Sequence, residues 1–551
     1  MAHKLAGKPV EERDIIDIQE LVDAYFDNVP DTSDPTQLVS FGTSGHRGTS
    51  LKGTFTDLHV AAITQAICDG RTQFGATGPV FVGQDTHALS QPALVTVLEV
   101  LAGNGVTAMV DQDMDFVPTP SVSRAIIRYN ETHDDKADGI IITPSHNPPD
   151  NGGIKYNTII GGPADTIITK WIEVRANEYL LAYCENDGFK RTSIDNIEPS
   201  AQVSYDYKGL YVEELASVIN MEAIKAANPR VLVDTLGGSG ASYWRSIKER
   251  YGLNLDIIHD EYDPTFSFMT YDHDGKVRMD CSSPYAMAAV IERIGDYDLA
   301  VGNDPDYDRY GIITTTDGLI PANEVLTIGA KYLFTTRGWK NKGVGKTIVC
   351  TTLIDKWAAD EAIPVYEVPV GFKYFSELLF NGEIGIGGEE SAGASFLKKN
   401  GTVWTTDKDG IIMALLGMEI LAVMGHSGFK MADEFYERYG NPKFGRIDAA
   451  CTTLQKQTLK KLDASSITAT IVDGDDITSI RTASMYKDMP IDGVRVDTDK
   501  GWFVARPSGT EDLYKIYGES YKGDLGLVAL LTAGEKIVND ALNASTSDIN
   551  E

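Results

Sequence analysis

Apolar and polar positions along this chain fall into a unit that recurs three times. In the first, "GPVFVGQDT" (78–86) is a short apolar run, and "SQPALVTVLEVLAG" (90–103) follows with apolar residues at helical spacing. Ser90 is expected as N-cap, Pro92 in the first turn and Gly103 as the stop; "VTAMV" (106–110) is the next strand. In the second, "PRVLVDT" (229–235) leads through "LGGSG" into "ASYWRSIKERYG" and on to "LNLDII" (253–258). In the third, "KTIVCTT" (346–352) leads into "LIDKWAADEA" and then "IPVYEV" (363–368). Strand, loop, helix, strand within about thirty residues is the βαβ unit. From residue 443 the pattern changes to short alternating runs, "TATIVDG", "GVRVDT", "GWFVARP" and "LYKIYGES", closed by the helical "GLVALLTAGEKIVNDAL". That is an antiparallel sheet with a terminal helix.

The expected fold class is therefore α/β: three related βαβ-type domains with mixed sheets plus a C-terminal α+β domain, around a central cleft. The expected boundaries are 1–205, 206–312, 313–442 and 443–551. A length of 551 residues agrees, at roughly 150 residues per domain. Loops at the carboxyl ends of the strands are where such domains carry function.

Charge narrows the partners. Eighty acidic against 49 basic residues give a net −31, which excludes a nucleic-acid groove or an anionic membrane surface, since both need a positive field. An anionic ligand would need a local cluster of cations and N–H groups. The five cysteines, Cys68, Cys184, Cys281, Cys350 and Cys451, are scattered and without CxxC, as in a reducing compartment. The acidic, periodic "EERDIIDIQELVDAYFDN" (11–28) is no signal peptide. The longest apolar stretch, "IIMALLGMEILAVMG" (411–425), contains Glu419 and is too short for a bilayer. A cytoplasmic soluble protein is expected, monomer or homodimer.

Several loops carry chemistry. "GNDPDYDRYG" (302–311) alternates Asp304, Asp306 and Asp308, three carboxylates that repel unless a cation sits among them. Oxygen-only ligands suit Mg²⁺, with Mn²⁺ or Ca²⁺ as alternatives, while the EF-hand pattern fails because its twelfth position is Thr315. A solvated acidic turn is the plainer alternative. "ITPSHNPPDNGGIKYN" (142–157) holds Ser145 in a turn-rich loop; a phosphoserine there would complete a metal shell, and a helix cap or turn is the alternative. "ARPSGTEDLYKIYGES" (505–520) gathers Arg506, Ser508, Gly509 and Thr510 into a phosphate clamp or a tight turn with an exposed arginine. "GIGGEESAGAS" (385–395) offers Glu389 and Ser391 to adjacent hydroxyls of a sugar, "FGTSGHRG" (41–48) sets Arg47 among small residues as an anion contact, and "VPVGFKYF" (368–375) puts Lys373 just past a strand. Serine, metal, sugar and phosphate loops fall one to each domain.

With these loops in this order, the chain resembles the α-D-phosphohexomutases nearly end to end, and within them the bacterial phosphoglucomutases. "TPSHNPPDNGGIKYN" looks like the family's phosphoserine loop, "DPDYDR" its metal loop, "GEESAG" its sugar loop and "RPSGTE" its phosphate loop. Pro305 and Tyr307 stand where many members have glycines, with the three carboxylates and Arg309 still in register. The sugar loop reads Glu-Glu-Ser rather than the Glu-Met-Ser of dual-specificity mannose/glucose mutases, which favours glucose phosphates. The serine loop also lacks the form of the glucosamine-phosphate mutases.

The resemblance implies interconversion of α-D-glucose 1-phosphate and glucose 6-phosphate through phospho-Ser145 and glucose 1,6-bisphosphate. One Mg²⁺ per subunit would be held by Asp304, Asp306, Asp308 and an oxygen on Ser145. Glu389 and Ser391 would bind sugar hydroxyls, and Arg506, Ser508, Gly509 and Thr510 the phosphate that is not reacting. His146, Lys155, Arg47, Arg309 and Lys373 are implied in proton transfer, charge stabilisation and substrate binding. The alternatives are a mutase of another sugar such as mannose, a metal-dependent phosphatase, and a non-catalytic sugar-phosphate-binding homologue.

Overall fold

A computed structural model describes residues 3–42, 45–183, 188–507 and 513–547. The first sheet has six strands: β1 (His46–Gly48), β2 (Val80–Gln84), β3 (Ala108–Asp111), β4 (Asp138–Ile142), β5 (Gly152–Asn157) and β6 (Gln202–Tyr205), in the order β1-β5-β4-β2-β3-β6. β2 is parallel to β3 on one side and to β4 on the other, and β5 returns antiparallel to β4. Every residue of β2, β4 and β5 is buried, as a strand covered on both faces requires.

The same plan is built twice more. In the second sheet, β7 (Val231–Asp234) lies parallel to β8 (Leu255–Ile258) and β9 (Leu299–Gly302), β10 (Gly311–Thr314) turns back on β9, and β11 (Gly318–Leu319) follows. In the third, β12 (Gly343–Thr347) lies parallel to β13 (Val365–Val368) and β14 (Ile384–Gly388), and β15 (Ala394–Phe396) turns back on β14. Each first strand reaches its neighbour through a helix, Ser90–Gly103, Ala241–Tyr251 and Leu353–Asp360 in turn. The fourth sheet is antiparallel throughout, β16 (Lys443–Ala450), β17 (Ile471–Val472), β18 (Asp475–Ala483), β19 (Pro490–Thr498), β20 (Gly501–Pro507) and β21 (Leu513–Ser520), with the helix Gly523–Ser547 on it.

Four expectations shift. Ser90 is not the N-cap: it is the first helical residue, after Leu89, and its hydroxyl donates to Asp85 Oδ1 at 2.6 Å. The strand expected at "KTIVCTT" is displaced to Gly343–Thr347; Ile348 and Val349 are apolar because they pack with Ile491, Trp502 and Val504 of the fourth unit. The boundary at 312 cuts β10, since the second sheet runs on to Leu319. Residues 3–14 lie against the second unit rather than the first, with Val10 N–H donating to Met269 O and Tyr271 N–H to Lys8 O.

The apolar run 411–425 forms the helix Gly410–Met424. By length and composition Gly410–Gly428 could cross a membrane, but 67% of it is buried inside the fold. Its Glu419, fully buried, accepts from Arg337 at 2.7 Å and from Tyr332 at 2.9 Å. Cys68, Cys281 and Cys350 are free thiols.

Candidate active site

The topology singles out one corner in each α/β unit, the turn from the third parallel strand into the antiparallel one. These corners are 143–151, 303–310 and 389–393, and they are the serine, aspartate and Glu-Glu-Ser loops. Each contains a residue other than glycine in the left-handed region: Ser145 at φ 60°, Tyr307 at 63° and Ala392 at 65°. Such a conformation costs on the order of 1 kcal/mol in an L-residue and collects at functional turns.

Ser145 is 1% exposed. Its hydroxyl donates to Asp304 Oδ2 at 2.8 Å and lies 3.3 Å from His146 Nδ1. Its N–H donates to Thr143 Oγ1 at 2.7 Å. From β1, Arg47 Nη1 donates to Asn147 Oδ1 at 3.2 Å, on the far side of the same turn. Burial, then Arg309, push His146 well below the ordinary histidine range.

Asp304, Asp306 and Asp308 are fully buried, and each offers an oxygen within 4.8 Å of the others. Lys155, on β5, donates to Asp306 Oδ2 at 2.6 Å and Asp308 Oδ2 at 3.1 Å. Lys408 Nζ is 2.7 Å from Asp308 Oδ2. Burial opposes charge on Asp308, but Lys155 and Lys408 outweigh it and hold that carboxyl well below its usual range. Burial and then Asp306 and Asp308 drive Asp304 well above it. Asp306 Oδ1 and Asp308 Oδ1 are buried without a hydrogen-bond partner among the described residues. Unpartnered buried carboxylate oxygens of this kind, with a repelled third carboxylate, fit a hard divalent cation. These three residues could hold a metal ion.

Arg309 donates to Asp280 Oδ2 at 3.2 Å, and His146 Nε2 lies 4.0 Å from the same oxygen. In the third unit Glu389 is buried and burial pushes it up to about 7, with Lys408 opposing. A Cβ on Gly393 would come within 2.3 Å of Lys408 Cδ, so the sugar loop closes directly on that lysine. Ser391 is half-buried. Arg506 is the penultimate residue of β20, with its Nε buried and unpartnered among the described residues. Ser508, Gly509 and Thr510 lie outside the described residues. Lys373 opens the helix Lys373–Phe380 and stands apart from the aspartates: it donates to Thr166 Oγ1 at 2.9 Å, and burial depresses its pKa, with Arg506 adding to the effect.

The structure therefore joins Ser145, His146, Lys155, the three aspartates and Arg309 in one contact network, and sets Lys373 and Arg506 together at a second place. Sequence reasoning missed Lys408, Asp280, Thr119 and the pair Asp85–His87. Thr119 donates its N–H to Asp306 O at 2.9 Å and its hydroxyl to Asp306 Oδ2 at 2.7 Å. The one usable signal was "TDKDG" (406–410), a charged cluster directly before an apolar helix.

Comparisons with known proteins follow the same division. The descriptions "Phosphoglucomutase/phosphomannomutase, alpha/beta/alpha domain" I, II and III match residues 38–182, 210–318 and 321–439, and the family's C-terminal domain matches 458–525. The chain is 46% identical over 538 residues to a phosphoglucomutase of Komagataeibacter xylinus, covering 97% of each. It is 25% identical over 505 residues to phosphoglucomutase 1 of Saccharomyces cerevisiae, covering 85% of each. The open form of Paramecium pp63/parafusin shares the fold with a TM-score of 0.70 at 20% identity, over 93% of this chain and 95% of that one. A Burkholderia thailandensis protein of the phosphoglucomutase/phosphomannomutase family does so at 0.65 and 18%, over 92% and 98%.

Proposed function

This chain belongs to the phosphoglucomutase/phosphomannomutase family, and from that premise we propose how its cleft interconverts α-D-glucose 1-phosphate and glucose 6-phosphate. It is an intramolecular phosphotransferase. The observation that carries the assignment of its centre is Ser145, held in a strained turn with its hydroxyl 2.8 Å from Asp304.

Ser145 carries a phosphoryl group. The free hydroxyl of a bound glucose phosphate attacks the phosphorus, the bond from phosphorus to Ser145 Oγ breaks, the hydroxyl proton passes to a base beside the serine, and the freed Ser145 Oγ takes up a proton in turn. His146 is the candidate by position, since Asp306 and Asp308 keep Lys155 protonated. The product, glucose 1,6-bisphosphate, turns over in the cleft and returns its other phosphoryl group to Ser145. Asp304, Asp306 and Asp308, with an oxygen on Ser145, would hold one Mg²⁺, which supplies positive charge against the phosphoryl oxygens.

The chain itself supplies position and further charge. Lys155 and Lys408, with Arg309 4.0 Å from Asp308, offset the charge of the aspartates, so that an anionic ligand can enter despite the net charge of −31. Asp280 fixes Arg309 on one side of the serine, with the His146 ring 4.0 Å away. Glu389 and Ser391 receive sugar hydroxyls, Arg506 with Ser508, Gly509 and Thr510 receives the phosphate at rest with Lys373 near Arg506, and Arg47 adds its charge on the serine side, against Asn147. Closing four units on the sugar keeps water, the competing acceptor, away. The reaction belongs in the cytoplasm, where its sugar phosphates are.

The test is conversion of glucose 1-phosphate to glucose 6-phosphate with Mg²⁺, with and without trace glucose 1,6-bisphosphate. Turnover that the bisphosphate stimulates and chelation abolishes supports the proposal. Faster turnover of mannose phosphates would move the substrate assignment to the other hexose.

A further inference from the structure

We propose that Asp85 and His87 are positioning residues for phosphoryl transfer, a buried pair that holds the turn of Ser145 in the left-handed conformation the reaction uses. The proposal rests on the role given to Ser145 above.

Asp85 is the first residue past β2, next to β4, and its N–H donates to Ile142 O at 3.0 Å. Both Asp85 and His87 are 1% exposed, and their hydrogen bonds run to the turn of Ser145 and to each other. The Asp85 carboxylate is saturated. Oδ1 accepts from Ser90 Oγ at 2.6 Å and from His87 N–H at 3.0 Å; Oδ2 accepts from Thr143 Oγ1 at 2.6 Å and lies 2.8 Å from His87 Nδ1.

The direction of these bonds matters. A threonine hydroxyl has one proton. With that proton committed to Asp85, Thr143 Oγ1 meets Ser145 only as an acceptor, and it takes the Ser145 N–H at 2.7 Å. That bond pins the backbone at φ 60°. On the other flank, His87 Nε2 lies 3.0 Å from Asn147 O. Both ring nitrogens face acceptors, a carboxylate and a carbonyl, so both donate and the ring is an imidazolium. Burial opposes that charge, but Asp85 outweighs it and holds His87 above its ordinary pKa. One buried ion pair thus ties down the residue two before Ser145 and the residue two after it.

The experiment compares Thr143→Val, Asp85→Asn and His87→Gln with wild type and with Thr143→Ser, which keeps the hydroxyl. Each variant is first shown to be folded by its thermal unfolding transition. A misplaced nucleophile loses rate rather than affinity. We expect kcat to fall about 100-fold in Thr143→Val, with KM for glucose 1-phosphate changed less than about threefold, and Thr143→Ser to recover most of the loss. A second readout needs no turnover: amide hydrogen exchange of the 142–157 peptide, faster in Thr143→Val and Asp85→Asn than in wild type. A folded Thr143→Val with wild-type kcat and wild-type exchange overturns the brace, as does a loss that falls on KM alone. Slow exchange in a wild type without mutase activity would retain the brace and remove the function proposed above.

Discussion

Ser145 and its neighbours show how far single residues can be followed. The serine and the three aspartates stood out in the sequence because their chemistry is unusual at close spacing, and Lys155 entered through the family resemblance. Lys408 and Asp280 did not, because a lone lysine before a helix or a lone aspartate in a loop becomes informative only through the group it meets. Ser145→Ala removes the atom proposed to take the phosphoryl group and is expected to abolish turnover while leaving thermal stability within about 1 kcal/mol, the ordinary effect of a small truncation; full activity would end the phosphoenzyme proposal. Asp280→Ala removes the 3.2 Å partner of the half-buried Arg309 guanidinium and leaves it only Asp308, at 4.0 Å. A loss of about 10-fold or more in kcat/KM is expected from a displaced charge near the phosphoryl group, and wild-type kinetics would refute the assignment. His87 also gives a pH signature. Asp85 faces it from its own strand end, Asp306 acts on it from the metal loop, and the Phe266 ring packs beside it. Its folded pKa is raised, so its contribution is full below the unfolded value of about 6.5 and is lost as pH rises through the folded one. The stability difference between wild type and His87→Gln, measured by thermal unfolding, should be larger at pH 6 than at pH 9.

At the scale of elements, strand identity was legible in β2 and β7, short apolar runs buried on both faces, but not in the glycine-rich β14, which the sequence reading took into the sugar loop. The end of a strand was not. In "KTIVCTT" apolarity continues past β12 because the next residues serve a different contact, against the fourth unit. The glycines of "LGGSG", read only as a connection, make room: a Cβ on Gly240 would lie 2.4 Å from a ring atom of Tyr307, and one on Gly238 2.9 Å. This explains how a tyrosine can occupy a left-handed corner where a glycine would be unstrained. Thr119 links two elements, since the first residue of the helix Thr119–Asn130 holds both the backbone and the carboxylate of Asp306. Thr119→Ala is expected to raise the Mg²⁺ concentration for half-maximal activity several-fold, in the range of outer-sphere losses of about 10-fold, with kcat at saturating Mg²⁺ little changed. An unshifted Mg²⁺ titration would count against it.

Across the whole molecule, the four-unit plan was readable from repeat and composition, whereas the way the units hold one another was not. The third and fourth units meet through Glu367, 1% exposed, which accepts from Arg481 at 2.6 Å and lies 3.9 Å from Arg495. Glu519 adds a second link, accepting from Thr352 N–H at 3.1 Å and from Trp502 Nε1 at 3.1 Å. Glu367→Ala strands Arg495, which is 3% exposed, although Asp497 still reaches it at 2.8 Å. Destabilisation of about 2–4 kcal/mol is expected on removing one partner of a buried ion pair, read as a fall in the denaturation midpoint. A fall of less than about 0.5 kcal/mol would mean that Asp497 alone carries the arginine.

The bonds that make the centre join different sheets: Ser145 to Asp304, Thr119 and Lys155 to Asp306, Lys408 to Asp308. No unit owns a working half of it. During refolding each sheet can form by itself, but the carboxylates keep repelling one another until the lysines of the neighbouring units arrive. The last event on the folding path is then the docking of finished units, and enzymatic activity is its clock. In a stopped-flow refolding experiment, far-ultraviolet ellipticity should recover first and turnover later, by a delay that lengthens as salt screens the lysine–aspartate attraction.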